Sequence, residues 1–287
     1  MKNIFTVVLL LIFPNLFSQK SLSFSVVDSV SKQTIPFIKI VVCGKDKGAY
    51  SDEKGLVKID NLSDDDTIFI YNIFYESKLM PIKNLLNIKQ IMFSPKPLIL
   101  NEVVIKSSKY KEVEIGYSKS KSNGSFGTQI IGTEIAVLIR PGNIQNAYIN
   151  CIILKFKKIV KNTLIRVHLY QNEKGKPGTE IYLKDNLITV SEKNEVKFDI
   201  VNHYIKLPIE GLFVSMEWIG NSKAKGETYS DTEFKSSPRV RADIVNKRSK
   251  AIGLVRTYGK WESLMEITQQ ENKVYVPLFG LLVEEHK

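Results

Sequence analysis

The chain has 287 residues, 43% hydrophobic and 25% charged, with a formal net charge of +11. That length exceeds what one hydrophobic core usually serves, so two domains are expected, and the composition excludes a long disordered tail. The positive excess falls mainly in residues 107–287, where lysines alternate with apolar residues, as in "ILKFKKIVK". This is the pattern of a solvated sheet face; it argues against nucleic acid and leaves an anionic envelope surface as a candidate partner.

In chain order, the first element is "MKNIFTVVLLLIFPNLFSQK". Lys2 precedes an apolar run from Ile4 to Phe13, Pro14 and Asn15 break it, and Ser18 supplies a small residue for cleavage. Residues 1–18 are therefore expected to be a secretory signal. The run is shorter than the about 20 residues that span a bilayer, and no later run reaches that length, so no transmembrane segment is expected in the mature chain. The residue directly after the expected cleavage point is Gln19 and not a cysteine, which argues against a lipid anchor. The expected location is the periplasm, the outer membrane surface or the exterior.

From Ser21 the chain reads as short strands parted by turns: "LSFSVVD", "FIKIVVCG", "LVKIDNL", "DTIFIYNIFYES", "KQIMFSP" and "NEVVIKS". Runs of this length, rich in Val, Ile, Phe and Tyr and divided by Gly, Pro, Asn and Asp, imply an all-β sandwich. Two acidic turns interrupt them. "GAYSDEKGLVKIDNL" places Asp52, Glu53 and Asp60 around Gly55, and "SDDDT" adds Asp64, Asp65 and Asp66. These aspartates are weak calcium candidates; the spacing lacks the alternating carboxylates of an EF-hand loop, so hairpin turns are the expected reading and no metal or other cofactor is expected. Cys43 and Cys151 lie in separate apolar runs and are expected to be two buried thiols.

The order of these pieces carries a resemblance. A Val-x-Asp (Val26 to Asp28), a polar loop, Ile35-Pro36, an apolar strand, "SDEKG", the aromatic "YNIFYE" and the closing "LNEVVI" (Leu100 to Ile105) follow one another. Residues 21–106 thereby resemble the carboxypeptidase-like regulatory domain family, prealbumin-like β-sandwiches of exported proteins and of the N-termini of TonB-dependent receptors. The resemblance implies a seven-stranded sandwich over residues 19–106 that docks or supports folding, not a peptidase. The zinc ligands of such peptidases, a His-x-x-Glu pair and a later His, have no counterpart among His168, His203 and His286. Phe74 stands where the pattern has glycine, which raises the question of its backbone angle.

Residues 107–126, "SSKYKEVEIGYSKSKSNGSF", are Ser- and Lys-rich and are expected to be a linker. Beyond them, residues 127–287 alternate again, with turns at "RPGN", "EKGKPG", "LPIEG" and "GNSKAKGE". This predicts a second, larger, jelly-roll-like sandwich. The expected fold class is thus all-β with two β-sandwiches.

No nucleophile elbow, phosphate-binding loop or His-Glu-x-x-His helix occurs. His168 and His203 read as structural residues of strands, and Glu210, Glu217, Asp231 and Glu233 as acids on water-facing strand positions. Aromatic residues near turns are the better candidates for ligand contact: Trp218, Trp261, Tyr170 and Tyr258, with Tyr229 also near a turn. The expected function is a non-enzymatic, exported binding or scaffolding protein of the cell envelope, with a protein or glycan partner. The alternatives are a carbohydrate-binding module and a polysaccharide hydrolase acting through second-domain carboxylates.

Overall fold

The structure, a computed structural model, describes residues 20–97, 110–122, 124–127, 130–159, 162–190, 194–221, 238–246, 250–264 and 273–286. The expected signal (1–18), the closing "LNEVVI" and Tyr229, Asp231 and Glu233 lie outside these residues. The chain folds into two units, one extending to Lys96 without Lys45–Lys47, the other comprising those three and everything from Pro97. No helix among the described residues is long and apolar enough to cross a membrane.

The first unit contains β1 (Lys20–Asp28), β2 (Lys39–Val42), β3 (Gly48–Tyr50), β4 (Leu56–Leu62), β5 (Thr67–Tyr71), β6 (Lys78–Pro81) and β7 (Gln90–Phe93). They form a three-stranded sheet in the order β4-β1-β7 and a four-stranded sheet in the order β3-β2-β5-β6. The period of two sends Leu22, Phe24 and Val26 of β1, and Ile38, Ile40 and Val42 around β2, into one buried cluster with Val57, Ile59, Ile68, Ile70 and Phe93. These strands make the sandwich that the alternation implied. Asp28 caps the loop after β1: its Oδ1 accepts from the backbone N–H of Val30 and Ser31, and its Oδ2 accepts from the Tyr75 hydroxyl at 3.0 Å. Hydrogen bonds from Ser31 and Val30 hold the Asp28 carboxyl below its usual range, while burial pushes the Tyr75 hydroxyl up to about 12. Phe74 is not among the residues of positive φ, and its N–H donates to Asn72 Oδ1. The chain turns there without needing glycine.

The second unit contains β8 (Tyr110–Gly116), β9 (Gly124–Gly127), β10 (Thr133–Ile139), β11 (Ala147–Lys158), β12 (Thr163–Glu173), β13 (Lys176–Ile181), β14 (Leu187–Val190), β15 (Glu195–Asp199), β16 (Ile205–Lys206), β17 (Leu212–Asn221), β18 (Arg239–Asn246), β19 (Gly253–Thr257), β20 (Glu262–Ser263), β21 (Lys273–Pro277) and β22 (Phe279–His286). One sheet runs β13-β12-β17-β10-β19-β20, with β14 also paired to β12. The other runs β21-β18-β11-β22-β8, with β15 and β16 paired to β11 and β9 to β18. Ile135, Val137, Val167, Leu169, Val214 and Met216 from the first sheet meet Ile152, Leu154, Phe156, Phe279, Leu281 and Val283 from the second in one core. The all-β expectation, with a sandwich in each unit, holds.

Residues 107–126 require a correction. Tyr110–Gly116 is β8, paired residue for residue with β22, and Gly124–Gly127 is β9. The charged residues of "YKEVEIG" hide the apolar face: Val113 and Ile115 pack on the core, while Lys111 and Glu112 before them are exposed. The cysteine expectation also needs correcting. Both thiols are free; Cys151 is buried, but Cys43, just past the end of β2, is exposed. Burial pushes the Cys151 thiol up to about 11, which makes it a poor nucleophile.

Candidate functional site

On the first sheet of the second unit, β10 and β17 are buried on both faces. The odd-numbered residues of β10 enter the core. The even-numbered ones, Glu134, Ala136 and Leu138, lie on the opposite face with Phe213, Ser215 and Glu217 of β17. Next to them come Arg166, His168 and Tyr170 of β12 on one side, and Leu254 and Arg256 of β19 on the other. Register aligns these residues in rows. One row reads Arg166, Glu217, Glu134, Arg256 across four strands; the next reads His168, Ser215, Ala136, Leu254.

Two carboxylates directly opposite each other on neighbouring strands repel. Here the row places an arginine at each end of the pair. The small Ser215 and Ala136 of the next row leave room for longer side chains to reach in. Glu134 Oε1 accepts from the Ser215 hydroxyl at 2.6 Å and from the Tyr170 hydroxyl at 2.9 Å. Its Oε2 accepts from Arg256 Nε at 2.8 Å and Nη2 at 2.7 Å. The same Nη2 donates to the Tyr170 oxygen at 3.0 Å. Glu217 Oε2 faces Arg166 Nη1 at 3.5 Å and His168 Nε2 at 3.4 Å, and His168 Nδ1 sits 2.6 Å from Glu180 Oε1 on β13.

The electrostatics follow from this geometry. Both ring nitrogens of His168 face carboxylates, which only accept, so the ring is an imidazolium. Burial alone would lower its pKa, but Glu134, Glu180 and Glu217 outweigh that and raise it to about 9. Burial, reinforced by the charge of Glu134, lifts the Tyr170 hydroxyl well above its usual range. Arg256 is opposed by burial but held charged by Glu134. Three carboxylates are thus matched by Arg166, Arg256 and His168. Glu134 is 0% and Glu217 1% exposed, whereas the Arg256 side chain is 25% exposed.

One acceptor or donor atom each from Glu134, His168 and Glu217 lie within 4.8 Å of one another, a spacing that suits a single metal ion. The surrounding charges do not favour it. His168 must lose its proton to ligate, and the two glutamates already face guanidinium groups that do the neutralising work of a cation. A general base needs a free lone pair near its operating pH, whereas His168 is charged and both of its nitrogens are engaged.

The expected ligand residues separate here. Tyr170 and Trp261 come together: the two rings meet edge to face at 6.1 Å, and the Arg256 guanidinium lies 4.4 Å from the Trp261 centroid. Trp218 goes elsewhere; it is 3% exposed, opposite the core residue Ile165, and its Nε1–H donates to Gly220 O. Tyr258 is half-buried, takes φ 57°, and lies where a Cβ on Gly132 would meet its ring. The expectation of water-facing acids fails at Glu217, while Glu210 is exposed. His168 is a structural residue, but one bound into a convergent ionic group. His203, by contrast, accepts from the Lys184 N–H at the end of a loop. Sequence reasoning misses Glu134, although a lone glutamate in the apolar run "TEIAVLI" is a visible signal.

The calcium candidates are placed as follows. Asp52 Oδ1 accepts from the N–H of Lys54 and Leu56, Asp66 Oδ2 accepts from Ser63 N–H, Asp64 pairs with Lys20, and Asp65 is exposed.

No family model matches the chain, and no curated protein matches it. Among solved structures, it is similar to the cysteine protease and lectin-like domains of a surface layer associated protein of Clostridium difficile. That match has 9% identity and a TM-score of 0.42, over 88% of this chain and 59% of that one. The chain therefore spans under two thirds of the length of that structure.

Proposed function

We propose that the chain is an exported, non-enzymatic binding or scaffolding protein of the cell envelope, docking a protein or glycan partner through its β-sandwich modules. The first module is read as a carboxypeptidase-like regulatory domain, on the residue pattern around Asp28, Gly55 and Tyr75. One observation carries the non-enzymatic part: Glu134, Glu217 and His168 are buried, hydrogen-bonded and charge-balanced within the protein. Such a network rigidifies a sheet instead of opening a reaction path. The N-terminal charge, apolar run and break support export.

The test is co-sedimentation of the mature protein with isolated bacterial envelopes, followed by assay of the supernatant for released sugar or peptide. Saturable association without release is expected. Release that Glu217→Gln abolishes in a folded variant would replace this reading with the hydrolase one.

A further inference from the structure

We infer that the most exposed part of the buried network, Arg256 with the Trp261 indole, is the docking point for an uncharged sugar ring of a glycan. The inference rests on the binding-protein reading above and gives it a site and a ligand class.

Arg256 is fixed from behind. Its Nε and Nη2 are committed to Glu134 and Tyr170, whereas Nη1 donates to no protein group among the described residues. Of the charged groups in the network, Arg256 is the most exposed, at 25% against 13% for Arg166 and less for the others. Trp261 is half-buried at the turn from β19 to β20; the guanidinium lies over its ring, and Tyr170 meets it in a T-shaped contact. The guanidinium covers one face of the indole, so a donor group and the aromatic ring are pre-positioned together, which lowers the ordering cost of binding.

Charge decides the ligand class. Glu134 already neutralises Arg256, and the exposed Lys260 and Glu262 flank Trp261 with opposite signs. Little net field remains to attract an anion. What is offered is one NH2 group with its two N–H donors next to an indole, which matches a ring with hydroxyl acceptors at its rim and C–H bonds on its face. A protein partner needs about 800 Å² on each side for a stable interface. Two half-exposed side chains fall far below that, whereas a single sugar residue can be held at such a point.

The experiment titrates mature protein with a panel of soluble neutral polymers (glucan, mannan, galactan and xylan) and with polygalacturonate, by calorimetry and indole fluorescence. Wild type is compared with Trp261→Ala, Trp261→Phe and Arg256→Lys, each checked for an unchanged circular dichroism spectrum. At least one neutral polymer is expected to bind with an affinity insensitive to salt. Trp261→Ala should weaken it about tenfold, and Trp261→Phe should retain most of it. Arg256→Lys, which keeps the charge facing Glu134 but removes Nη1, should also weaken it. Unchanged binding by Trp261→Ala overturns the inference. So does binding of polygalacturonate alone with strong salt dependence, or of none of the polymers. If none binds but envelope co-sedimentation persists, this site is lost and the binding-protein reading stands. If both fail, both fall.

Discussion

Among single residues, Glu134 holds the second unit's buried face together, because both its oxygens are used and its partners span three other strands. Glu134→Ala leaves the Arg256 charge uncompensated, and a loss of about 3–5 kcal/mol is expected in urea denaturation. Glu134→Gln, which keeps one acceptor, should lose less. His168 gives a pH signature. Its folded pKa of about 9 lies above the ordinary value of 6.5, so its stabilising contribution is complete below 6.5 and is lost as pH rises through about 9. The unfolding midpoint should therefore fall across that window, and His168→Gln should flatten the fall. A midpoint that rises with pH there would contradict the assigned charge.

Among elements, the turn between β3 and β4 is shaped by local hydrogen bonds. Asp52 turns the chain with its own carboxylate, and Gly55 takes φ +73° with Thr34 Cβ 2.7 Å from where its own Cβ would stand. Gly55→Ala meets both a backbone angle and a clash, and about 1–3 kcal/mol of destabilisation is expected. Excess calcium should leave the midpoint of the wild type unchanged. A calcium-dependent rise that Asp52→Asn removes would revive the metal reading.

How much is legible in the sequence also divides at this level. The strands are, because apolar alternation is local: "LSFSVVD" reads as β1 on its own. β8 is missed because three charges mask Val113 and Ile115. The ionic row is missed for a different reason. Glu217 in "VSMEWIG" reads as one polar residue facing outward, which is correct for the face and wrong for its burial, and Glu134 in "TEIAVLI" draws no reading at all. That β10 lies between β17 and β19, each over 70 positions away along the chain, is a property of register that no local pattern encodes. The two tryptophans illustrate the same limit. A one-residue difference in phase sends Trp218 inward, while Glu217 beside it joins the network.

For the molecule as a whole, two separate cores imply two cooperative units. Calorimetry of the mature protein should resolve two transitions, with Gly55→Ala lowering one and Glu134→Gln the other. A single transition moved by both variants would contradict independent units. Within the second unit, everything said of function depends on its convergent charges being a locked scaffold. Titration of the His168 ring by NMR in the folded mature protein probes that directly. A locked scaffold keeps the imidazolium throughout neutral pH and loses its proton at about 9. A ring that titrates near the ordinary value of 6.5, free to trade its proton with solvent, would contradict the scaffold and point to a working acid–base centre.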